Sequence, residues 1–316
     1  MVKGIAFAAL MLTLSPVFAD CVLEPAYIKS DRFIGDYDVE KINSGGIQLS
    51  STYGDISKDP KQFDLDTLYE IRKDGQVARF RIADKYFVNG SSFLGSAQWE
   101  QNKFPSGAGK YKFYALSTEN QVAGQKVTMV GDSITWWSSG KNFRCLLSKE
   151  ITGLNFVGPH TDAFGYGHAG EGGNKTIDVL ERLNKIKKSD YYILHIGTND
   201  WPIGNSDFTL NNIKSISNKL SEKGGTVLIL TILPRLDEHD ERNRAINEKL
   251  RAWNGRDCNC KVVDFEDEFR SLDNLPSLYW DKGLHPNIEG YRKIVGILSP
   301  KLTSAIGIDS VYLSGK

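Results

Sequence analysis

Four short stretches of this 316-residue chain carry residue types that do chemistry: Gly131-Asp132-Ser133, Glu171-Gly172-Gly173-Asn174-Lys175-Thr176, Gly197-Thr198-Asn199-Asp200, and Trp280 to Asn287 with Asp281 and His285 inside it. The first is the most informative. The nearly continuous apolar run Val127 to Val130 reads as a buried strand, and Gly131 and Asp132 then turn the chain. From Trp136 to Glu150 the apolar residues Trp136, Trp137, Phe143, Leu146 and Leu147 recur at roughly a helical period. A serine at such a junction lies over the carboxyl edge of a sheet, beside helix N-terminal amides that can stabilise a developing negative charge. On its own the triplet reads as a helix cap, because Ser and Asp are favoured there. A catalytic serine therefore needs partners from elsewhere in the chain.

The elements that position those partners alternate regularly. Strand signals at Asn155 to Gly158, Tyr191 to Ile196, Val227 to Leu233 and Lys261 to Phe265 are interleaved with helical periods at Ile177 to Ile186, Leu210 to Leu220, Arg242 to Trp253 and Ile288 to Leu302. Strands separated by helices predict a doubly wound parallel sheet, here of five strands. Each chemistry-bearing stretch falls just after a strand or in the approach to the last helix, where an open α/β sheet places its site. That shared location outweighs the simpler local readings: a turn glycine at Gly173, an Asx-turn at Asn199 and a capping histidine at His285.

Taken together the four stretches resemble the SGNH hydrolase superfamily, also called the GDSL esterases, over about Gln125 to Thr303. Gly131-Asp132-Ser133-Ile134-Thr135 is similar to the family's first block, Gly197-Thr198-Asn199-Asp200 to its third, and His285-Pro286-Asn287 to its fifth. Gly173 is the best-aligned position of the second block, with Gly172 one step off. The resemblance implies a flavodoxin-like α/β/α fold with Ser133 as nucleophile and His285 as general base. It also implies an oxyanion hole made by the Ser133 amide, the Gly173 amide and the Asn199 side chain. A serine hydroxyl is a weak nucleophile until an imidazole takes its proton, and one lost oxyanion donor costs roughly 3 to 4 kcal/mol of transition-state stabilisation. One position departs from the pattern. The family's triad acid stands three residues before the histidine, where this chain has Lys282; Asp281 lies four before. Either Asp281 reaches the ring across a one-residue insertion or a backbone carbonyl orients the ring, and the reading adopted is Asp281. His168, in His168-Ala169-Gly170-Glu171-Gly172-Gly173, is similar to the second block of some secreted carbohydrate acetylesterases and is read either as lining the acyl or sugar pocket or as a turn residue, with Trp201 a further candidate for substrate contact. His195 is expected to be a satisfied core residue, and His160 and His239 to sit in loops without a clear partner. No metal-binding set and no cofactor motif emerge.

Composition narrows the partners. The chain has 39 basic and 39 acidic residues. With no basic block to meet a phosphate backbone, nucleic acid is excluded as a partner. Residues Met1 to Ala19, with Lys3, an apolar core from Ile5 to Leu14 and Pro16-Val17-Phe18-Ala19, read as a secretory signal peptide. No later stretch has the roughly 18 apolar residues of a membrane span. Cys21 follows the expected cut, yet Asp20 before it fits a lipoprotein site poorly. Export makes disulfides the expected fate of Cys21, Cys145, Cys258 and Cys260. Cys258 and Cys260 are too close in sequence for an unstrained mutual bond, so each is expected to reach Cys21 or Cys145.

Residues 20 to 120 form a different region. Tyr69 to Ile82 alternates around Asp74-Gly75, a hairpin signal, and glycine-bearing turns separate short aromatic-rich runs. Trp99, Tyr111, Phe113 and Tyr114 are either its core or a sugar-stacking surface. The reading is thus an exported serine esterase with a catalytic domain over 121–316, acting on O-acyl, preferably O-acetyl, esters of cell-envelope or extracellular carbohydrate. The alternatives are a lysophospholipase or lipase, a carbohydrate O-acetyltransferase, and an inactive glycan-binding module.

Overall fold

The computed structural model describes residues 27–43, 46–49, 63–64, 67–82, 84–88, 91–95, 98–99, 105–119, 124–136, 140–281 and 283–307. The expected leader and Cys21 lie outside them. The N-terminal strands are β1 (Tyr27–Asn43), β2 (Gly46–Leu49), β3 (Leu68–Lys73), β4 (Gln76–Arg81), β5 (Asp84–Val88), β6 (Ser91–Gly95), β7 (Gln98–Trp99) and β8 (Gly109–Glu119). They form one antiparallel sheet in the order β5-β6-β2-β1-β8-β3-β4-β7. The expected hairpin is present, because Asp74 (φ 49°) and Gly75 (φ 76°) supply the two left-handed residues of a tight turn between β3 and β4. Trp99, Tyr111 and Phe113 are buried with Tyr37, Phe63, Tyr69 and Phe80. Those aromatics are core, not a surface for sugar.

The second sheet contains β9 (Gln125–Gly131), β10 (Leu154–Phe156), β11 (His160–Thr161), β12 (Gly167–Gly170), β13 (Tyr191–His195), β14 (Thr226–Leu230) and β15 (Cys260–Val263). Its order is β11-β12-β9-β13-β14-β15, with β10 also paired to β9, and every pairing is parallel except β11 with β12. The sheet has seven strands where five were expected. The place beside β9 is shared: β10 pairs with its start and β12 with its end, and β11 adds a short antiparallel edge.

Helices cover both faces: α1 (Ser133–Trp136), α2 (Gly140–Glu150), α3 (Thr176–Arg182), α4 (Ser206–Ser221), α5 (Asp240–Trp253), α6 (Glu266–Arg270) and α7 (Ile288–Ile306). The strands sort their side chains by the two-residue period of a pleated chain. Val127, Met129, Ile193, Leu228 and Leu230 enter the core beneath α2 and α7, whereas Val130, Tyr192, Leu194, Val227 and Ile229 enter the one beneath α3, α4 and α5. Asn205 and Asn287 cap α4 and α7 by accepting the amides of Phe208 and Gly290 at 2.9 and 3.0 Å. Among the described residues no helix is long and apolar enough to cross a membrane.

The cysteine pairing differs from expectation. Cys258 and Cys260 are bonded to each other, and Cys145 is disulfide-bonded as well. Asn254 (φ 52°) and Gly255 (φ 73°) turn the chain after α5, and the Cys260 amide bonds back to the Cys258 carbonyl at 2.8 Å. This folded-back turn sets the two Cα atoms 5.1 Å apart, inside the range a disulfide needs. The expectation that each of the two would reach Cys21 or Cys145 is therefore not met.

Candidate active site

Ser133 is the first residue of α1, entered directly from β9, so its amide has no acceptor within the helix. Asp132 shapes the turn: its Oδ1 accepts the Ile134 amide at 2.9 Å, and its carbonyl accepts the Thr135 and Trp136 amides at 3.1 and 3.0 Å. Two side chains brace the turn from behind. Tyr291 of α7 donates its hydroxyl to the Ile134 carbonyl at 2.7 Å. Arg144 of α2, wholly buried, donates to the Thr135 carbonyl and pairs with Asp162.

The Ser133 hydroxyl lies 2.9 Å from Nε2 of His285, and Nδ1 of that ring lies 2.5 Å from Oδ2 of Asp281. The other Asp281 oxygen accepts the amides of Gly283, Leu284 and His285 at 3.1, 2.8 and 3.0 Å. Burial opposes the charged form of Asp281, but the His285 amide, the His285 ring and the Leu284 amide together outweigh it and hold the carboxyl below the usual carboxylate range. An ionised carboxylate can only accept, so Nδ1 carries the imidazole proton and the Nε2 lone pair faces Ser133. The extra residue between acid and base is absorbed at Gly283, whose φ of +97° is left-handed. A Cβ there would stand 2.2 Å from Cβ of Leu236. The loop is closed at its base by a bridge between Tyr279 and Pro286, and the Trp280 amide donates to the His285 carbonyl at 3.1 Å.

The glycine turn is pinned on both sides. The Glu171 amide donates to the Gly131 carbonyl at 3.1 Å, two residues before Ser133. On the far side the Asn199 side-chain amide donates to the Asn174 carbonyl at 3.1 Å, and Asp200 accepts the amide of Thr176 at 2.8 Å. Arg182 spans the same junction, donating to the Asn174 side chain at 2.7 Å and the Gly131 carbonyl at 3.0 Å. Gly173, at φ +71°, sits inside this turn between the Ser133 and Asn199 loops. Ser133, Gly173, Asn199, Asp281 and His285 thus all stand on neighbouring loops at the carboxyl edge of one sheet.

The other expected site residues fare differently. His168 lies in β12 at 2% exposure, its Nδ1 accepting the Gly170 amide at 3.2 Å, and so presents no accessible surface to a sugar. Burial and the nearby Arg144 push its pKa well below the ordinary histidine value, which makes it a neutral interior residue. Trp201 is exposed and stacks on His239, with centroids 4.3 Å apart and planes 14° from parallel. His239 therefore has a partner that its loop position had not suggested. His160 also has one, the Glu171 carboxylate at 3.0 Å. His195 is buried as expected, but neither ring nitrogen has a hydrogen-bond partner. Burial pulls its pKa down to about 4, so the ring is neutral.

Three residues at the site were not singled out in the sequence. Asp132 is fully buried, and burial pushes its carboxyl up to about 7. Asp200 is buried under two threonine hydroxyls, those of Thr176 and Thr209. Trp280 stands half exposed against His285. Their only signal was adjacency to a catalytic-type residue, which does not separate a function from a cap.

Residues 129–293 match the GDSL-like lipase/acylhydrolase family, more than half of the chain. The chain belongs to that family. It is a serine ester hydrolase of the SGNH superfamily. Among solved structures, this acylhydrolase is similar to a carbohydrate esterase family 3 protein from Talaromyces cellulolyticus, at 25% identity and a TM-score of 0.50, covering 59% of this chain and 100% of that one. It is also similar to the lipase/acylhydrolase from Enterococcus faecalis, at 20% identity and a TM-score of 0.46, covering 57% of this chain and 96% of that one. No curated protein matches the acylhydrolase.

Proposed function

We propose that this acylhydrolase is an exported enzyme that removes O-acetyl groups from cell-envelope or extracellular carbohydrate. Its catalytic unit spans 121–316 on a flavodoxin-like frame, and a separate β-rich unit spans 20–120. The observation that carries the chemistry is the hydrogen-bonded line from Ser133 through His285 to Asp281. His285 Nε2 takes the Ser133 proton as Oγ attacks the ester carbonyl, and the imidazolium is stabilised by Asp281. The tetrahedral oxyanion is held by the Ser133 and Gly173 amides and the Asn199 side chain. His285 then protonates the departing alcohol oxygen, leaving an acyl-Ser133 ester. Water, deprotonated by the same ring, attacks that ester, and as the acyl–Oγ bond breaks the ring returns the proton to Ser133 and the acid is released.

Two observations support the carbohydrate part. The likeness to a carbohydrate esterase spans that whole protein. Two half-exposed tryptophans belong to the loops of the site: Trp280 lies against His285, and Trp201 follows Asn199 by two residues. A second reading, a longer acyl chain, is favoured by the aliphatic side chains Ile177, Ile203, Leu236 and Ile288, all exposed on the loops and helix starts around the site. A chain-length series separates the two. With para-nitrophenyl acetate, butyrate and palmitate, kcat/KM is expected to fall at least tenfold from acetate to palmitate. A maximum at palmitate would replace the acetyl reading with the lipase one. No turnover of any ester would leave a binding module.

A further inference from the structure

Trp280 occupies a particular side of the catalytic centre. Its indole and the His285 imidazole are 29° from parallel with centroids 5.9 Å apart, and half of the tryptophan surface is exposed. The amide of Trp280 donates to the His285 carbonyl at 3.1 Å, and the Tyr279–Pro286 bridge closes the loop behind both residues. The indole is therefore held on the same short loop as the general base.

The mechanism fixes which part of the ester meets that indole. The proton on His285 Nε2 must reach the departing oxygen, so that oxygen lies within hydrogen-bond reach of the ring, about 2.6–3.2 Å. The oxyanion points instead to the Gly173 and Asn199 side. The alcohol half of the substrate consequently leaves along the His285 face, where Trp280 stands. An exposed indole is a flat apolar surface with a polar edge. A pyranose complements it, with one face of C–H groups to lay on the ring and hydroxyls left at its rim for water. A flexible chain gains less from a single flat wall than from a groove.

We infer that Trp280 is a specificity-determining residue, the platform on which the sugar ring of the departing alcohol stacks. This rests on the carbohydrate reading above and adds where the sugar sits. Because the platform holds the alcohol half, it discriminates between esters of one acid and different alcohols. It has no direct purchase on acyl-chain length.

The test compares 6-O-acetylglucose with ethyl acetate, which share the acetyl group and differ in the alcohol. Trp280→Ala is expected to lower kcat/KM for the sugar ester at least tenfold more than for ethyl acetate, chiefly through KM. Trp280→Phe, which keeps a ring, is expected to recover most of that selectivity. Free glucose should competitively inhibit ethyl acetate hydrolysis by the wild-type enzyme more strongly than by Trp280→Ala. Equal losses on both esters would overturn the platform, since Trp280 would then act only by packing against His285. A wild-type enzyme that cleaves ethyl acetate but not 6-O-acetylglucose would remove the carbohydrate reading and the platform with it. That outcome is distinct because it is seen before any variant is made.

Discussion

Asp281 is engaged through both oxygens, one on the His285 ring and one on three backbone amides. The first sets the imidazole tautomer, and the second fixes the carboxylate that does so. Asp281→Asn keeps the shape but can present an NH₂ where Nδ1–H needs an acceptor. It is expected to lower kcat by about 10⁴-fold, as the same change does in a serine protease triad. The pH profile should move too. Removing a negative charge beside the ring disfavours its protonated form, so the acidic limb of kcat/KM shifts to lower pH. A near-normal rate with an unmoved limb would leave a Ser133–His285 dyad. At this scale the stretches bearing Ser133, Asn199 and His285 stood out by position, two just after strands and one in the approach to the last helix, although each residue alone reads as a cap or a turn. Trp280 was not legible as a site residue, since an exposed and a buried tryptophan look alike in sequence.

The loops at the carboxyl edge are hydrogen-bonded to one another. Leu236, on the loop after β14, donates its amide to the Gly283 carbonyl at 3.1 Å, and the Tyr279 hydroxyl donates to the Pro234 carbonyl at 2.5 Å. Arg235 reaches from the same loop to the Thr198 carbonyl at 3.2 Å, one residue before Asn199. The loop from Thr231 to His239 therefore links the loop bearing Asn199 to the loop bearing Asp281 and His285. Gly283→Ala should expose that link, because the new Cβ meets Leu236 in a left-handed backbone. The expected result is about 1–3 kcal/mol of destabilisation and a kcat loss exceeding tenfold, read by thermal melting alongside ester turnover. Full activity in Gly283→Ala would mean that the loop yields without moving Asp281. The long helices and apolar strands were legible from periodicity, whereas β12 was not. Its sequence, Gly167-His168-Ala169-Gly170, lacks β-branched residues because it passes close under α1: a Cβ on Gly170 would lie 2.8 Å from the Thr135 side chain.

Across the whole molecule, hydrophobic clusters of the antiparallel sheet are distinct from the two that sandwich the parallel sheet. The two kinds of sheet were legible, since period-two alternation in the earlier part of the chain gives way to alternating strands and helices in the later part. Cysteine pairing was not legible, because it depends on the left-handed turn at Asn254 and Gly255. The central claim concerns one atom of this assembly, the Ser133 hydroxyl. It is tested most directly by reacting the whole protein with a serine-directed fluorophosphonate and locating the adduct by peptide mass spectrometry. The expected result is a single adduct on Ser133, formed much more slowly in His285→Ala and not at all in Ser133→Ala. Labelling at another serine that persists in Ser133→Ala, together with retained ester turnover, would contradict the account.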